Sequence, residues 1–265
     1  MNEFMEENKK NWNERVGIHK KSEFYDVEGF LKGKSSLGRL ELEELGDIKG
    51  KKMLHLQCHF GMDTLSLARM GADATGADFS DKAIELAKEL AEKAGIKAKF
   101  ICSNVLELDK HLEGEFDVVY ASYGVFCWIP DLNRWFEVAS HFLKPGGELI
   151  ILDGHPSNNL YEYSESKKEL EIIGSYFNNG PQRFVEDYTY TDGDKMENTV
   201  EYEWSHPISE FINSAINNGL RVTSFKEYPF IGYFKYPNMV KNDEDYWVIE
   251  GTDIPFTFSM KCVKE

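Results

Sequence analysis

The chain has 265 residues and a formal net charge of −16 at pH 7. That length buries a full core and fits one domain with an insertion. The acidity argues against nucleic acid, whose phosphates need Lys and Arg, and disfavours an anionic membrane surface; no apolar run approaches the roughly 20 residues that span a bilayer.

Residues 1–50 read as a polar, partly helical cover. Their start, MNEFMEENKKNWNERVG, has no apolar leader segment, so a cytoplasmic location is expected. Cys58, Cys102, Cys127 and Cys262 show no metal-finger spacing and read as small hydrophobic side chains in a reducing compartment. No metal is expected.

From residue 51 the pattern becomes regular. Residues 53–57 form an apolar run, a first strand. Asp63 is placed to cap a helix running to Met70, with Gly71 ending it. Residues 74–78 make a second strand. Ser80 caps the next helix, whose Ala83, Ile84, Ala87, Leu90, Ala91 and Ala94 recur at helical spacing until Gly95. Strands follow at 99–102 and 116–121. A helix at 132–143 is closed by Pro145-Gly146-Gly147, and a fifth strand covers 148–153. Strands alternating with helices imply a parallel sheet covered on both faces.

The alternation then breaks. Residues 154–206 are rich in Tyr, Phe, Trp and turn residues, and NTVEYEW reads as an antiparallel strand. This is an insertion, either a substrate lid or a β-rich structural cap. Pro207 opens a helix over 208–218. The last strands are 221–227 and 256–263, so residues 207–265 return to the sheet. The expected fold is α/β and Rossmann-like. Its sheet has seven strands, mostly parallel, with the final strand antiparallel beside the fifth.

The turn after the first strand carries the main chemical signal. A strand–turn–helix junction offers free backbone N–H groups and the positive end of a helix dipole to a ligand. MLHLQCHFGMDTLSLARMGA, followed by DATGADFS and later by FDVVYASYGVFCWIPDL and HFLKPGGELIILDGH, resembles class I (Rossmann-like) S-adenosylmethionine-dependent methyltransferases. The first block also resembles a bacterial subgroup of them with an LHLQCHFG variant of the glycine-rich turn. The matching segments run from about residue 51 to 153. The family's acidic–x–Gly–x–Gly–x–Gly pattern falls here on His55, Gln57, His59 and Gly61, and only the last glycine is kept.

The resemblance implies S-adenosylmethionine as cofactor and methyl transfer to a small-molecule acceptor. It places Gln57, His59, Phe60 and Gly61 at the methionine end of the cofactor. Gln57 and His59 either hydrogen-bond that end, or pack the turn with the cofactor displaced, or close the site. Asp78, ending the second strand, accepts from the ribose hydroxyls, and Phe79 lies against the adenine. Asn104 and Val105 face the adenine edge. Ala121 and Ser122 line the sulfonium region, and Tyr123 faces the methyl. Trp12, Arg15 and Tyr25 fold over the cofactor, Arg15 toward its carboxylate.

Candidate bases for an acceptor that must lose a proton are Tyr123, His155 and His206, with His59 as a fourth. HExxH, paired-carboxylate and Gly–x–Ser–x–Gly patterns are absent, which leaves metal hydrolysis and acyl transfer without support. Two other readings stay open: a non-catalytic module that binds S-adenosylmethionine or S-adenosylhomocysteine, and an NAD-dependent oxidoreductase.

Overall fold

The computed structural model describes residues 2–177 and 180–265. Three helices come first: α1 (Glu3–His19), α2 (Val27–Leu31) and α3 (Arg39–Leu45). Then strands and helices alternate: β1 (Lys52–Leu56), α4 (Met62–Arg69), β2 (Asp73–Asp78), α5 (Asp81–Ala94), β3 (Lys99–Cys102), β4 (Phe116–Ser122), α6 (Leu132–Phe142) and β5 (Leu143–Gly154). Two hairpins follow, β6 (Tyr161–Ser164) with β7 (Glu169–Ile172), and β8 (Gln182–Val185) with β9 (Val200–Glu203). The chain ends with α7 (Ile208–Asn217), β10 (Leu220–Tyr228), the short pair β11 (Val240–Lys241) and β12 (Trp247–Val248), and β13 (Thr257–Lys264).

Seven strands form one sheet in the order β3-β2-β1-β4-β5-β13-β10. Strands β1 to β5 are parallel, and β13 runs antiparallel to both β5 and β10. This is the expected sheet, with its last strand beside the fifth.

Alternation along the buried strands sends side chains to two cores. Leu54, Leu56, Val119, Ala121, Leu149 and Ile151 face α6 and α7, where Trp135, Phe136, Phe142 and Phe211 complete the packing. Met53, Val118, Tyr120, Ile150 and Leu152 face the other way, against Leu40 and Leu45 of α3 and Leu67 of α4. Strand β1 has β2 on one side and β4 on the other, and the strand order reverses there. Ligands bind such sheets at the carboxyl ends of the strands flanking that reversal. Here those ends are the turn after β1 and the loop after β4.

Three local expectations change. The N-cap of α4 is Gly61 in left-handed backbone (φ +76°), and Asp63 lies inside the first turn. Strand β5 starts at Leu143, because Gly146 (φ +77°) lets the chain bulge and still pair with β4. Residues 229–256 leave the sheet between β10 and β13. Their Ile231, Tyr236, Met239, Ile249 and Phe256 form a small core with Tyr161, Tyr163 and Leu170 of the first hairpin. The insertion is thus two-part in space, although its parts are far apart in sequence.

Candidate active site

The turn after β1 carries left-handed backbone at three alternate residues: Gln57 (φ 55°), His59 (φ 49°) and Gly61 (φ 76°). At Gly61 an added Cβ would lie 2.5 Å from Phe100 and 3.0 Å from Ala87, so only glycine fits. At the other two positions an L side chain sits in a conformation that costs about 1 kcal/mol or more. Both side chains are held by specific partners. Gln57 Nε2 donates to the Val125 carbonyl at 2.9 Å, and Gln57 Oε1 accepts from Trp135 Nε1 at 2.9 Å. Gln57 therefore ties the β1 turn to the loop after β4 and to α6, across the sheet's reversal point. Of the alternatives open for Gln57, these bonds match packing of the turn. The Gly61 N–H also turns inward, to the Cys58 carbonyl at 2.9 Å, rather than toward a ligand. His55, at the family's acidic position, is buried against Thr64 Oγ1 at 2.9 Å, and burial lowers it to about 4.

Asp78 ends β2 beside this turn. Its carboxylate accepts from the His59 N–H and the Ser80 N–H, both at 2.9 Å. Burial raises it to about 6, against the lowering effect of those N–H groups. A carboxylate oxygen accepts more than one hydrogen bond, so capacity remains for a hydroxyl pair.

Helix α1 covers the turn. It is fastened to β9 by reciprocal bonds: Asn8 Nδ2 donates to the Tyr202 carbonyl, and the Tyr202 N–H donates to Asn8 Oδ1, each at 2.8 Å. Asn11 Nδ2 reaches the Asn198 carbonyl at 2.7 Å, and Glu14 accepts from the N–H groups of Glu197 and Asn198 at 2.7 Å. On the core side, Ser80 Oγ donates to Asn13 Oδ1 at 2.6 Å. Helix α1 and the second hairpin therefore form one cover.

Under that cover the aromatic and imidazole rings crowd together. Trp12 lies edge-on to His59 at 5.2 Å between centroids and to Trp128 at 5.3 Å. His19 Nδ1 and His59 Nε2 are 2.9 Å apart, and His19 Nε2 is 2.7 Å from Thr189 Oγ1. Burial and the Arg15 charge lower His19 to about 3; burial, His19 and Arg15 push His59 well down, so both rings are neutral. Tyr25 stacks on His19 at 5.1 Å and hydrogen-bonds Tyr190. Arg15 is buried, paired with Glu201 of β9, and lies over Trp12 and Trp128. Sequence reading paired Arg15 with a ligand and missed Glu201, though the alternation in NTVEYEW puts Glu201 and Glu203 on one face.

Among the described residues, three buried nitrogens at this corner have no hydrogen-bond partner: Trp12 Nε1, Arg15 Nε and His59 Nδ1. Two of them are obligate N–H donors, and leaving buried donors unpaired costs free energy. Their convergence beside Asp78 fits a ligand with a carboxylate next to a hydroxyl-bearing ring.

The other expected residues are scattered. Phe60 is fully buried, 4.7 Å from Tyr25. Phe79 is half-buried beside Asp78. Asn104 caps the short turn at Val105–Lys110, its side chain accepting from the Leu106 N–H, and Val105 packs in the α6 core. Ala121 faces that same core rather than the crevice. Ser122 Oγ is 3.5 Å from Asp63 Oδ2. Tyr123 has left-handed backbone (φ 33°) and packs with Tyr228, Phe230 and Tyr246 on the α3 side, and burial raises its phenol far above the ordinary value. It faces away from the turn.

The two histidines proposed as bases are structural. His155 caps a short turn: its Nδ1 accepts from the Ser157 N–H at 3.1 Å, and its Nε2 lies 2.9 Å from Glu227. His206 lies 2.7 Å from the Ile129 carbonyl through Nε2 and 3.1 Å from Glu210 through Nδ1. Both His206 nitrogens are engaged, whereas His155 Nε2, 2.9 Å from Glu227 Oε1, makes no hydrogen bond among the described residues. Among the described residues no His/Cys/Asp/Glu group could hold a metal ion.

Comparison with known proteins bears on the core of this arrangement. Residues 53–147 match a family model described as a methyltransferase domain. A ubiquinone biosynthesis O-methyltransferase of Bordetella avium is 26% identical over 156 residues, covering 57% of this chain and 64% of the relative. One from Escherichia coli is 30% identical over 134 residues, covering 49% and 55%. The chain thus spans little more than half to under two thirds of these relatives' length. Among solved structures, an S-adenosylmethionine-dependent methyltransferase from Mesorhizobium loti superposes with TM-score 0.62 at 19% identity, over 88% of this chain and 100% of that one. One from Clostridium acetobutylicum gives 0.55 at 14% identity, over 91% and 92%. These likenesses establish the fold. The matched domain ends at residue 147, before the insertion begins.

Proposed function

We propose that this chain, which carries a methyltransferase domain in residues 53–147 within a class I S-adenosylmethionine-dependent methyltransferase fold, transfers a methyl group from S-adenosylmethionine to a small-molecule acceptor. The observation that carries the reading is the set of unpartnered nitrogens on Trp12, Arg15 and His59 beside the Asp78 carboxylate. S-adenosylmethionine presents a carboxylate and a ribose diol to such a set, and supplies an electrophilic methyl.

The chain's own residues then divide the work. Asp78 accepts from the ribose hydroxyls, with Phe79, Asn104 and Val105 at the adenine side. Trp12, Arg15 and His59 donate to or orient the amino-acid end. Gln57 holds the two crevice walls at fixed spacing through its bonds to Val125 and Trp135. Helix α1, with Trp12 over Trp128, excludes water from the methyl's path. His206, engaged at both nitrogens, takes no part. The reaction belongs in the cytoplasm, a location supported by four free cysteines. The formal charge of −16 favours neither nucleic acid nor anionic membrane as partner. Among the described residues no helix is long and apolar enough to cross a membrane.

Calorimetric titration with S-adenosylmethionine, S-adenosylhomocysteine and NAD tests the reading. The first two should bind at micromolar concentration and NAD should not. Absence of binding by both at millimolar concentration would sink it. Turnover against a metabolite panel then separates an enzyme from a module that only binds.

A further inference from the structure

His19 is the last residue of α1, and its ring is fully buried. Tyr25 stacks on it at 5.1 Å between centroids, and Tyr190 lies against it at 4.8 Å. Packed between these rings, each imidazole nitrogen keeps a fixed neighbour. Nδ1 is 2.9 Å from His59 Nε2, and Nε2 is 2.7 Å from Thr189 Oγ1. The three side chains come from the end of α1, the turn after β1 and the loop between β8 and β9. They form one line of hydrogen bonds, from the insertion through the cover to the turn.

Such a line has two arrangements. Both rings are neutral, so each carries one proton, and one proton sits between them. In the first arrangement the Thr189 hydroxyl donates to His19 Nε2. His19 Nδ1–H then donates to His59 Nε2, and His59 keeps its own proton on Nδ1. In the second, every bond runs the other way, and His59 Nδ1 is a bare lone pair. His59 Nδ1 is buried and has no hydrogen-bond partner among the described residues. The direction of the line therefore decides whether that atom donates or accepts.

The neighbours of His59 choose the direction. Trp12 is edge-on to the His59 ring at 5.2 Å, and the Arg15 guanidinium lies 5.1 Å from the Trp12 ring. Trp12 Nε1 and Arg15 Nε are obligate donors, buried and without a hydrogen-bond partner among the described residues. Two such donors call for a ligand that accepts, and a lone pair on His59 Nδ1 would repel the same ligand. We propose that His19 and Thr189 are positioning residues. They hold His59 in the tautomer protonated at Nδ1, and so make it the third donor to the carboxylate of S-adenosylmethionine. This rests on the methyltransferase reading. Thr189 belongs to the insertion, so the donor set is complete only while the β8–β9 loop lies on the cover. There Asp192 accepts from the Glu23 N–H at 3.1 Å, and Tyr190 hydrogen-bonds Tyr25.

The first test is nitrogen NMR of the full chain, labelled at histidine and saturated with S-adenosylhomocysteine, which has the same carboxylate. His59 Nδ1 should read as the protonated nitrogen and Nε2 as the bare one; the reverse overturns the proposal. The second is calorimetry with S-adenosylhomocysteine and with 5′-methylthioadenosine, which lacks the amino-acid end. His19→Phe should weaken S-adenosylhomocysteine about tenfold, the scale of one charge-assisted hydrogen bond, and 5′-methylthioadenosine by less than about twofold. His19→Asn, whose amide N–H reaches the place of Nδ1–H, should recover most of the loss. Thr189→Val should act in the same direction as His19→Phe, and Thr189→Ser should match the wild type. Equal losses for both ligands, no recovery in His19→Asn, or wild-type binding in Thr189→Val overturns the proposal. Failure of the wild type to bind S-adenosylhomocysteine at all is a different result, and strikes the methyltransferase reading beneath it.

Discussion

The corner beside Asp78 and the hairpin that covers it are built by opposite means. At the corner, one continuous stretch, β1 through the start of α5, supplies the turn, Asp78 and Ser80, and backbone N–H groups hold the carboxylate. The hairpin β8–β9 is held by side chains from far away in the chain: Asn8 bonds Tyr202, and Arg15 pairs with Glu201. The corner's local rigidity suits a ligand that does not vary. The hairpin, held by distant segments, can change without disturbing the sheet. Helix α1 joins the two, because it packs on the turn with one face and on β9 with another.

The largest expected effect breaks that joint. Arg15→Leu leaves Glu201 buried without its cation, which should destabilise the fold by about 3–5 kcal/mol in urea unfolding. Adding Glu201→Leu should recover most of the loss. If the double variant is no more stable than the single one, the pair does not hold the cover.

A smaller effect isolates the corner. Asp78→Ala should weaken S-adenosylhomocysteine binding by about 1.5–3 kcal/mol, as expected for lost bonds to a charged acceptor. Calorimetry showing wild-type affinity in a folded variant removes Asp78 from the ligand's contacts.

Gln57→Leu should separate structure from binding. It strips Trp135 Nε1 and the Val125 carbonyl of their partner, so thermal unfolding should report a loss of about 1–3 kcal/mol. Affinity for S-adenosylhomocysteine should change less than stability does. A variant of wild-type stability that no longer binds would return Gln57 to the ligand.

The pH dependence of Asp78 sharpens the same division. Its carboxyl is raised from an ordinary 3.8 to about 6 by burial. With the folded value the higher one, its contribution to stability is fully present below 3.8 and is lost as pH rises through about 6. Ribose hydroxyls need the ionised form as acceptor. S-adenosylhomocysteine affinity should therefore rise between pH 5 and pH 7 in calorimetry, and Asp78→Asn should flatten that rise.

The smallest effect is at the outer seam. Asn8→Ala removes two hydrogen bonds between α1 and β9, each worth about 1 kcal/mol. Amide exchange across Glu3–His19 should speed up accordingly, with the sheet unaffected. Equal exchange in both proteins shows that α1 is held mainly by its packing on the turn.

Sequence alone determined the sheet and most of its helices. Strand and helix periodicities are local, and Ser80, Asp131 and Gly95 end or start their helices with their own atoms. It also located the turn between β1 and α4 and Asp78 beside it, because the glycine, the helix start and the acid sit within a short span of chain. The tertiary structure decided what the side chains in that turn do. Whether Gln57 meets a ligand or Trp135 depends on a residue 78 positions away. Whether Arg15 meets a carboxylate of the ligand or of Glu201 depends on one 186 positions away. His155 and His206 read as candidate bases in one dimension; in three, His155 lies 2.9 Å from Glu227 and His206 2.7 Å from the Ile129 carbonyl. Polar side chains choose partners by distance in space and by the cost of burial, and neither quantity is written in the spacing of residues along the chain.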